Sequence, residues 1–327
     1  IRTALLDAAG RQVILRGLQH HSLQDVDYYG REVKPDDYPL MASWGFTTLR
    51  VATSWSKIEP KKGQYNGPYL QQIKGVMDAA HKAGLTVILE WHQDLWGRCA
   101  VDKTSSFAVN ANGAPDWTCP PGFKPTSTLD SWTVFDNLWA NKGGLQDAFI
   151  AAWLRVLKEV GSHPALLGLD VINEPQGTGG SPALERDKLF PAWRRIVPAL
   201  RKGGAKGLFF LDATIMRNET MEMHTEPLDT MGPDLVFAPH LYSGWLLMYV
   251  LNRPVPAEEK RRDFTSALKQ AAALRLPMWN GEWGVNLNLD TSLQNLWTHV
   301  SMEDEYLVGS SYWAFQKAVP GQGDASI

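Results

Sequence analysis

Two glutamates, Glu174 and Glu282, each close an apolar run. Leu167-Gly168-Leu169-Asp170-Val171-Ile172-Asn173 precedes the first, and Pro277-Met278-Trp279-Asn280-Gly281 precedes the second. A lone Glu is ordinarily a solvated surface charge. A carboxylate that ends a buried-looking run is harder to assign to the surface. Paired carboxyls facing one pocket are what glycosidic cleavage requires: one protonated to help the leaving oxygen depart, the other ionised to attack or stabilise the anomeric carbon. Other short runs end in or carry Gln19-His20-His21, Arg50, Glu90-Trp91-His92-Gln93-Asp94, His240-Leu241-Tyr242, Trp283 and Trp313. Arg50 reads either as a structural ion-pair partner or as the cation that keeps a carboxylate ionised. His20, His21, His92 and His240 raise a rival reading, a metallohydrolase with ligands from several strands. No tight His-x-His pair supports it, and neither a metal nor a cofactor is expected. Of the 14 tryptophans, most read as packing. Trp55, Trp91, Trp96, Trp283 and Trp313 fall near strand ends, where flat rings can stack on sugar CH faces.

Positioning such a set takes a recurring scaffold. Eight strand candidates alternate with helical patterns: 13–18, 47–52, 86–91, 167–172, 208–212, 235–239, 277–281 and 310–315. Helical periodicity lies over 35–44, 70–82, 145–161, 182–202, 257–274 and 291–302. Near-continuous apolar runs fit strands buried on both faces, as parallel strands are. Eight alternating units predict an α/β chain folded as one (β/α)8 TIM barrel over residues 1–327, with reactive side chains at the C-terminal strand ends. Leu5-Leu6-Asp7 and Gln12-Val13-Ile14, with Gly10 between them, read as an N-terminal hairpin that plugs the barrel floor. Only 12 residues follow Phe315, so the last helix is expected to be truncated or missing.

A net charge of -3, with scattered Lys and Arg, leaves no footprint for nucleic acid or anionic lipid. No apolar run is long enough to span a membrane. The chain starts at Ile1 and reads as a mature or trimmed fragment, expected to be secreted or otherwise extracytoplasmic. Cys99 and Cys119, the two cysteines, either pair as a disulfide, which would fit export, or stay free thiols. A monomer is expected, since no association surface stands out.

The opening Leu15-Arg16-Gly17, Arg50, His92, Asn173-Glu174-Pro175, His240-x-Tyr242, Glu282 and Trp313 together resemble glycoside hydrolase family 5, over essentially the whole chain. That resemblance implies a retaining β-glycosidase with Glu174 as acid/base and Glu282 as nucleophile. It makes Asn173 a partner of the substrate 2-hydroxyl, Tyr242 the group that orients Glu282, and Arg50 its electrostatic support. His240 would line the acid/base side, His92 would touch the −1 sugar, and Trp313 would floor that subsite. Retention predicts carboxyls about 5–5.5 Å apart. Trp91-His92-Gln93-Asp94-Leu95-Trp96-Gly97 and Asn112-Gly113-Ala114-Pro115-Asp116-Trp117 are similar to the endoglycoceramidase-related group, which implies Asp94 as a further sugar contact. That group cuts between a glycan and ceramide, so a glycolipid partner and transient detergent or membrane-surface contact follow. The loop at 19–25 departs from it in carrying no lysine to read sugar hydroxyls.

After Tyr242 comes Ser243-Gly244-Trp245-Leu246-Leu247-Met248-Tyr249-Val250-Leu251. Trp245 and Tyr249 are candidates for the wall of an apolar aglycone slot, Trp245 and Trp283 for substrate contact. Competing functions are a disaccharide-releasing β-diglycosidase on flavonoid or aryl glycosides, an endo-β-glucanase or mannanase, and a non-catalytic carbohydrate-binding barrel. The long insert from His92 to about Leu145 argues for a walled pocket over an open cleft, and the two intact glutamates argue for an enzyme.

Overall fold

The computed structural model describes residues 4–25, 33–243, 253–285 and 290–315. Eight strands follow in chain order: β1 Arg16–His20, β2 Thr48–Ser54, β3 Thr86–His92, β4 Leu166–Asp170, β5 Leu208–Leu211, β6 Leu235–Phe237, β7 Asn280–Trp283 and β8 Ser310–Tyr312. They form one parallel sheet in the order β6-β5-β4-β3-β2-β1-β8-β7. The two edges meet through parallel bridges Phe237 to Met278 and His240 to Glu282, and the Leu241 N–H donates to the Glu282 carbonyl at 3.0 Å. This closes the expected (β/α)8 barrel.

Two strands start later than the apolar runs suggest. Val13 donates its N–H to the Leu5 carbonyl, so the first half of that run belongs to the hairpin rather than to β1. Leu6 and Gln12 pair antiparallel there, as expected. Leu5 and Val13 pack on an apolar cluster of Leu15, Ile88, Phe210, Val236, Ala238 and Trp279, which fills the barrel floor. At β7, the ladder with β8 begins at Asn280 and carries a register shift before Trp283.

The helices make the outer wall. Leu145–Val160 buries Leu145, Phe149, Ile150, Trp153, Val156, Leu157 and Val160, one face at i, i+3, i+4 spacing. Phe149 and Trp153 meet Trp91 of β3 at ring separations of 5.1 and 4.7 Å. Each such buried side chain is worth about 1.5–3 kcal/mol in apolar burial, enough for this layer to fix how β3 and β4 sit. After β5 only the short helix Ile215–Thr220 forms before the Asp229–Met231 turn, as the weak periodicity there suggests. Ala257–Leu274 and Ser292–Tyr306 follow β6 and β7. The insert after β3 is tied by a Cys99–Cys119 disulfide, which settles the state of both cysteines. Among the described residues, no helix is long and apolar enough to cross a membrane. The expected loss of the last helix concerns residues 316–327, outside the described ones.

Candidate active site

Inward-facing residues at the C-terminal strand ends converge on Arg50 of β2, which is fully buried. Its Nε donates to Asp170 Oδ2 at 2.8 Å, and its Nη1 to Glu282 Oε2 at 2.8 Å and Gln19 Oε1 at 3.1 Å. Nη2 donates to Asn173 Oδ1 at 2.9 Å, and Glu90 Oε2 stands 3.5 Å from Nη1. Burial alone would lower the guanidinium's proton affinity, but Glu90, Asp170 and Glu282 outweigh it and raise it. The site therefore holds a permanent cation with one edge against Glu282.

Glu282 also accepts the Tyr242 hydroxyl at 2.7 Å on its other oxygen. Burial pushes its carboxyl up, and Arg50 pulls the other way. The alternation of β7 explains how it comes to face inward. Trp279 points into the floor cluster, so strict alternation would turn Gly281 and Trp283 inward and Glu282 out. The register shift between Asn280 and Trp283 reverses this, the use of bulges to re-aim a side chain beside a site.

Glu174 follows β4 with a φ of +38°, in the left-handed region that L residues seldom occupy. Its N–H donates to Asp212 Oδ2 at 2.7 Å, and Gln93 Nε2 donates to the carbonyls of Asn173 and Glu174 at 2.8 and 3.1 Å. Those bonds hold the turn. Its carboxyl lies 3.0 Å from His240 Nδ1 and is pushed up to about 7, first by burial and then by the Asp94 charge. His240 is buried and pushed down to about 4, so its ring is neutral. One oxygen each of Glu174 and Glu282 and a ring nitrogen of His240 lie within 4.8 Å of one another. The two carboxyls thus stand at the short, retaining separation rather than the roughly 6.5–9.5 Å of inverting pairs.

On the β3 side, His92 Nδ1 lies 2.6 Å from Glu90 Oε1 and Nε2 3.2 Å from Asp94 Oδ2. Burial would lower its pKa, but the two carboxylates outweigh it and raise it well above the ordinary value, making His92 an imidazolium. Its ring stacks on Trp313 at 5.3 Å and 18°. Asp94 also accepts Asn112 Nδ2 at 2.7 Å, tying the insert to the site.

Of the residues singled out in the sequence, Arg50, His92, Asp94, Asn173, Glu174, His240, Tyr242, Glu282 and Trp313 meet in this one cluster. Trp283 does not. It faces outward, stacks on His299 at 3.8 Å and donates Nε1 to Ser310 Oγ at 3.0 Å, because the β7 shift that turns Glu282 inward turns Trp283 out. Trp55, Trp91 and Trp96 are likewise core: they pack edge-on against each other and Phe149 or Phe135 behind β2 and β3. Trp245 lies outside the described residues, as does most of its apolar segment. The histidines of the metal reading are dispersed: His20 bonds Tyr38 at 3.0 Å and His92 is held between two acids, leaving His240 with Glu174 and Glu282. Gln19, Glu90, Asp170 and Asp212 are structural members of the site to which sequence reasoning gave no role. Their signal was available, since each is a polar residue on the inward parity of a run otherwise apolar.

An eight-stranded parallel barrel with one carboxyl just after strand four and the other on strand seven defines a barrel glycoside hydrolase. The chain matches the family model for cellulase (glycosyl hydrolase family 5) over residues 6–319 and belongs to that family. It is 27% identical to endoglycoceramidase I of Rhodococcus hoagii (strain 103S), over 99% of this chain and 68% of that protein. It is 27% identical to an endoglycoceramidase of Hydra vulgaris, over 43% of this chain and 32% of that one. In fold it is similar to an endogalactoceramidase crystal structure, with a TM-score of 0.84 and 24% identity over 97% of this chain and 74% of that chain. Endo-glycoceramidase II from Rhodococcus sp., in a cellobiose-like imidazole complex, gives 0.79 and 24% over 97% and 76%.

Proposed function

We propose that this retaining β-glycosidase cleaves the bond between a glycan and a hydrophobic aglycone, with glycosylceramide as substrate. The observation that carries the chemistry is the pair Glu174 and Glu282, close together but differently charged by their surroundings. Arg50 at 2.8 Å favours the ionised form of Glu282, and the Tyr242 hydroxyl fixes its rotamer. Glu174, pushed up to about 7, keeps its proton near neutrality.

In the first step a Glu282 oxygen attacks the anomeric carbon as the bond to the aglycone oxygen breaks, and the Glu174 proton goes to that oxygen. In the second, Glu174 takes a proton from water, whose oxygen attacks the same carbon and frees Glu282. Asn173 is offered to the 2-hydroxyl, His92 and Asp94 to sugar hydroxyls, and Trp313 to the sugar face. His240 bonds the acid/base carboxyl. The endoglycoceramidase relatives support the aglycone, and the Rhodococcus match supports it across nearly the whole chain. The disulfide favours an oxidising, extracytoplasmic setting. The reading includes a monomer that meets its substrate at a detergent or membrane surface.

Incubation with galactosyl- and lactosylceramide in detergent, a flavonoid rutinoside, carboxymethyl cellulose and mannan, read by mass spectrometry, tests it. Intact glycan with free ceramide is the expected result. Free flavonoid with its disaccharide would make the enzyme a β-diglycosidase. Shortened glucan or mannan with untouched glycolipid would remove the apolar-aglycone reading and leave the carboxyl pair.

A further inference from the structure

Asp212 follows β5 on the inward column, fully buried, and the double displacement assigns it nothing. Its Oδ2 accepts the Glu174 main-chain N–H at 2.7 Å. The same oxygen stands 3.1 Å from His240 Nε2, close but out of line for a full hydrogen bond. Its Oδ1 is buried without a hydrogen-bond partner. His240 Nδ1, on the other side of the ring, is 3.0 Å from Glu174 Oε1, so the imidazole sits between two carboxyls. Gly281 fits closely against that ring. A Cβ there would come within 3.0 Å of His240 Cδ2 and 2.7 Å of the Ala238 carbonyl.

We propose that Asp212 is the positioning residue of the acid/base: through its hydrogen bond to the Glu174 main chain it holds the left-handed turn that aims the Glu174 carboxyl at His240. This rests on the reading of Glu174 as acid/base. The cations around Asp212 do not hold it ionised. Arg50 on β2 is bonded to Asp170 and Glu282, and Arg217 on the helix Ile215–Thr220 donates to Gln270 at 2.6 Å and faces Asp263 at 3.9 Å. Asp170 and Glu174 on the β4 side add negative charge, and His240 is neutral. Burial first, then Asp170 and Glu174, push Asp212 well above the usual carboxylate range. Asp212 is therefore neutral where Glu174 titrates, and what it supplies to Glu174 is the main-chain hydrogen bond rather than a charge.

Two substitutions, one that keeps the bond and one that removes it, test the role. Asp212→Asn keeps an acceptor for the Glu174 N–H. Its kcat/KM profile should keep the wild-type alkaline limb and the wild-type dependence on the leaving group. Asp212→Ala removes the acceptor. Its loss on glycosylceramide should exceed its loss on a 2,4-dinitrophenyl glycoside of the released glycan by about tenfold or more, because the activated leaving group needs little protonation. Equal losses on both substrates in the Ala variant, or an Asn variant that shows the same losses as the Ala variant, overturns the proposal. If the Ala variant does not fold, Asp212→Ser, whose hydroxyl is too short to reach the Glu174 N–H, takes its place in the same comparison. Glu174→Gln run in parallel distinguishes the failures. If it too loses equally on both substrates, the acid/base reading falls and takes this proposal with it. If it behaves as a lost acid while the Asp212 variants are indifferent, only the role of Asp212 falls.

Discussion

The two ends of the barrel are built from the same strands and differ by one step along each inward column. Ile88 on β3 lies in the floor cluster, and Glu90 and His92 above it lie in the mouth. On β5 Phe210 gives way to Asp212, and on β6 Val236 and Ala238 give way to His240. The floor is an apolar plug, capped by Leu5 and Val13 of the hairpin, where area buried sets stability. The mouth is as deeply buried but ionic, with Arg50 touching four polar side chains. Burying such charges costs more than burying methylenes of the same volume unless each is paired. The lower half thus offsets the cost of the upper half, and the two should respond to mutation in different observables.

The sharpest break of that contrast is in the mouth. Glu282→Gln should lower kcat by about 10⁴–10⁶-fold on any substrate, the scale of losing a nucleophile. Rapid quench with a dinitrophenyl glycoside checks it, and a preserved burst of dinitrophenolate would remove Glu282 from that role. Glu174→Gln comes next, with a loss of about 10²–10⁴ on glycosylceramide and much less on the dinitrophenyl substrate. Equal losses on both would sink its assignment as the acid.

The complementary change is in the floor. Trp279 is fully buried, edge-on to Phe210 at 5.0 Å, with Nε1 donating to the Leu15 carbonyl at 3.1 Å. Trp279→Ala should cost about 3–5 kcal/mol of stability, read by denaturant unfolding. At a temperature where the variant stays folded, its pH profile and leaving-group dependence should match the wild type. A changed profile would show that the floor and mouth are coupled more tightly than their separate chemistry implies.

How much of this the sequence carries depends on which forces set each feature. The eight units, the hairpin and the convergence of Glu174, Glu282 and Arg50 on one mouth follow from apolar runs and from where polar residues interrupt them. What period alone does not encode is a one-residue slip. Trp283 reads as a mouth residue beside Glu282, and the β7 register shift sends it to His299 instead. Trp55, Trp91 and Trp96 mislead for a related reason: a ring near a strand end faces either the pocket or the helix layer, and packing against Phe149 decides. Asp212 is legible only as an acid ending an apolar run. Its purpose depends on the positive φ at Glu174, which comes from tertiary contacts.

The smallest effect sharpens the comparison within the mouth, between the acids that raise Glu174 and the cations that lower it. Glu174 works protonated in the first step. With its pKa pushed up to about 7, kcat/KM should fall as pH rises through that value. Glu282 works ionised, and burial raises it, so the acid limb should lie above the ordinary Glu range. Asp94→Asn removes the largest charge effect that holds Glu174 up, which alone moves the alkaline limb down. The same change takes one carboxylate from His92, and an imidazolium that lost its proton would stop lowering Glu174, moving the limb up. The first effect should win. Glu90 remains 2.6 Å from His92 Nδ1, held there also by Gln19 at 2.8 Å, and keeps the ring charged. The net shift should be roughly half a unit downward, read from kcat/KM on a glycosylceramide between pH 5 and 9. An upward shift would mean that Asp94, rather than Glu90, holds the His92 proton.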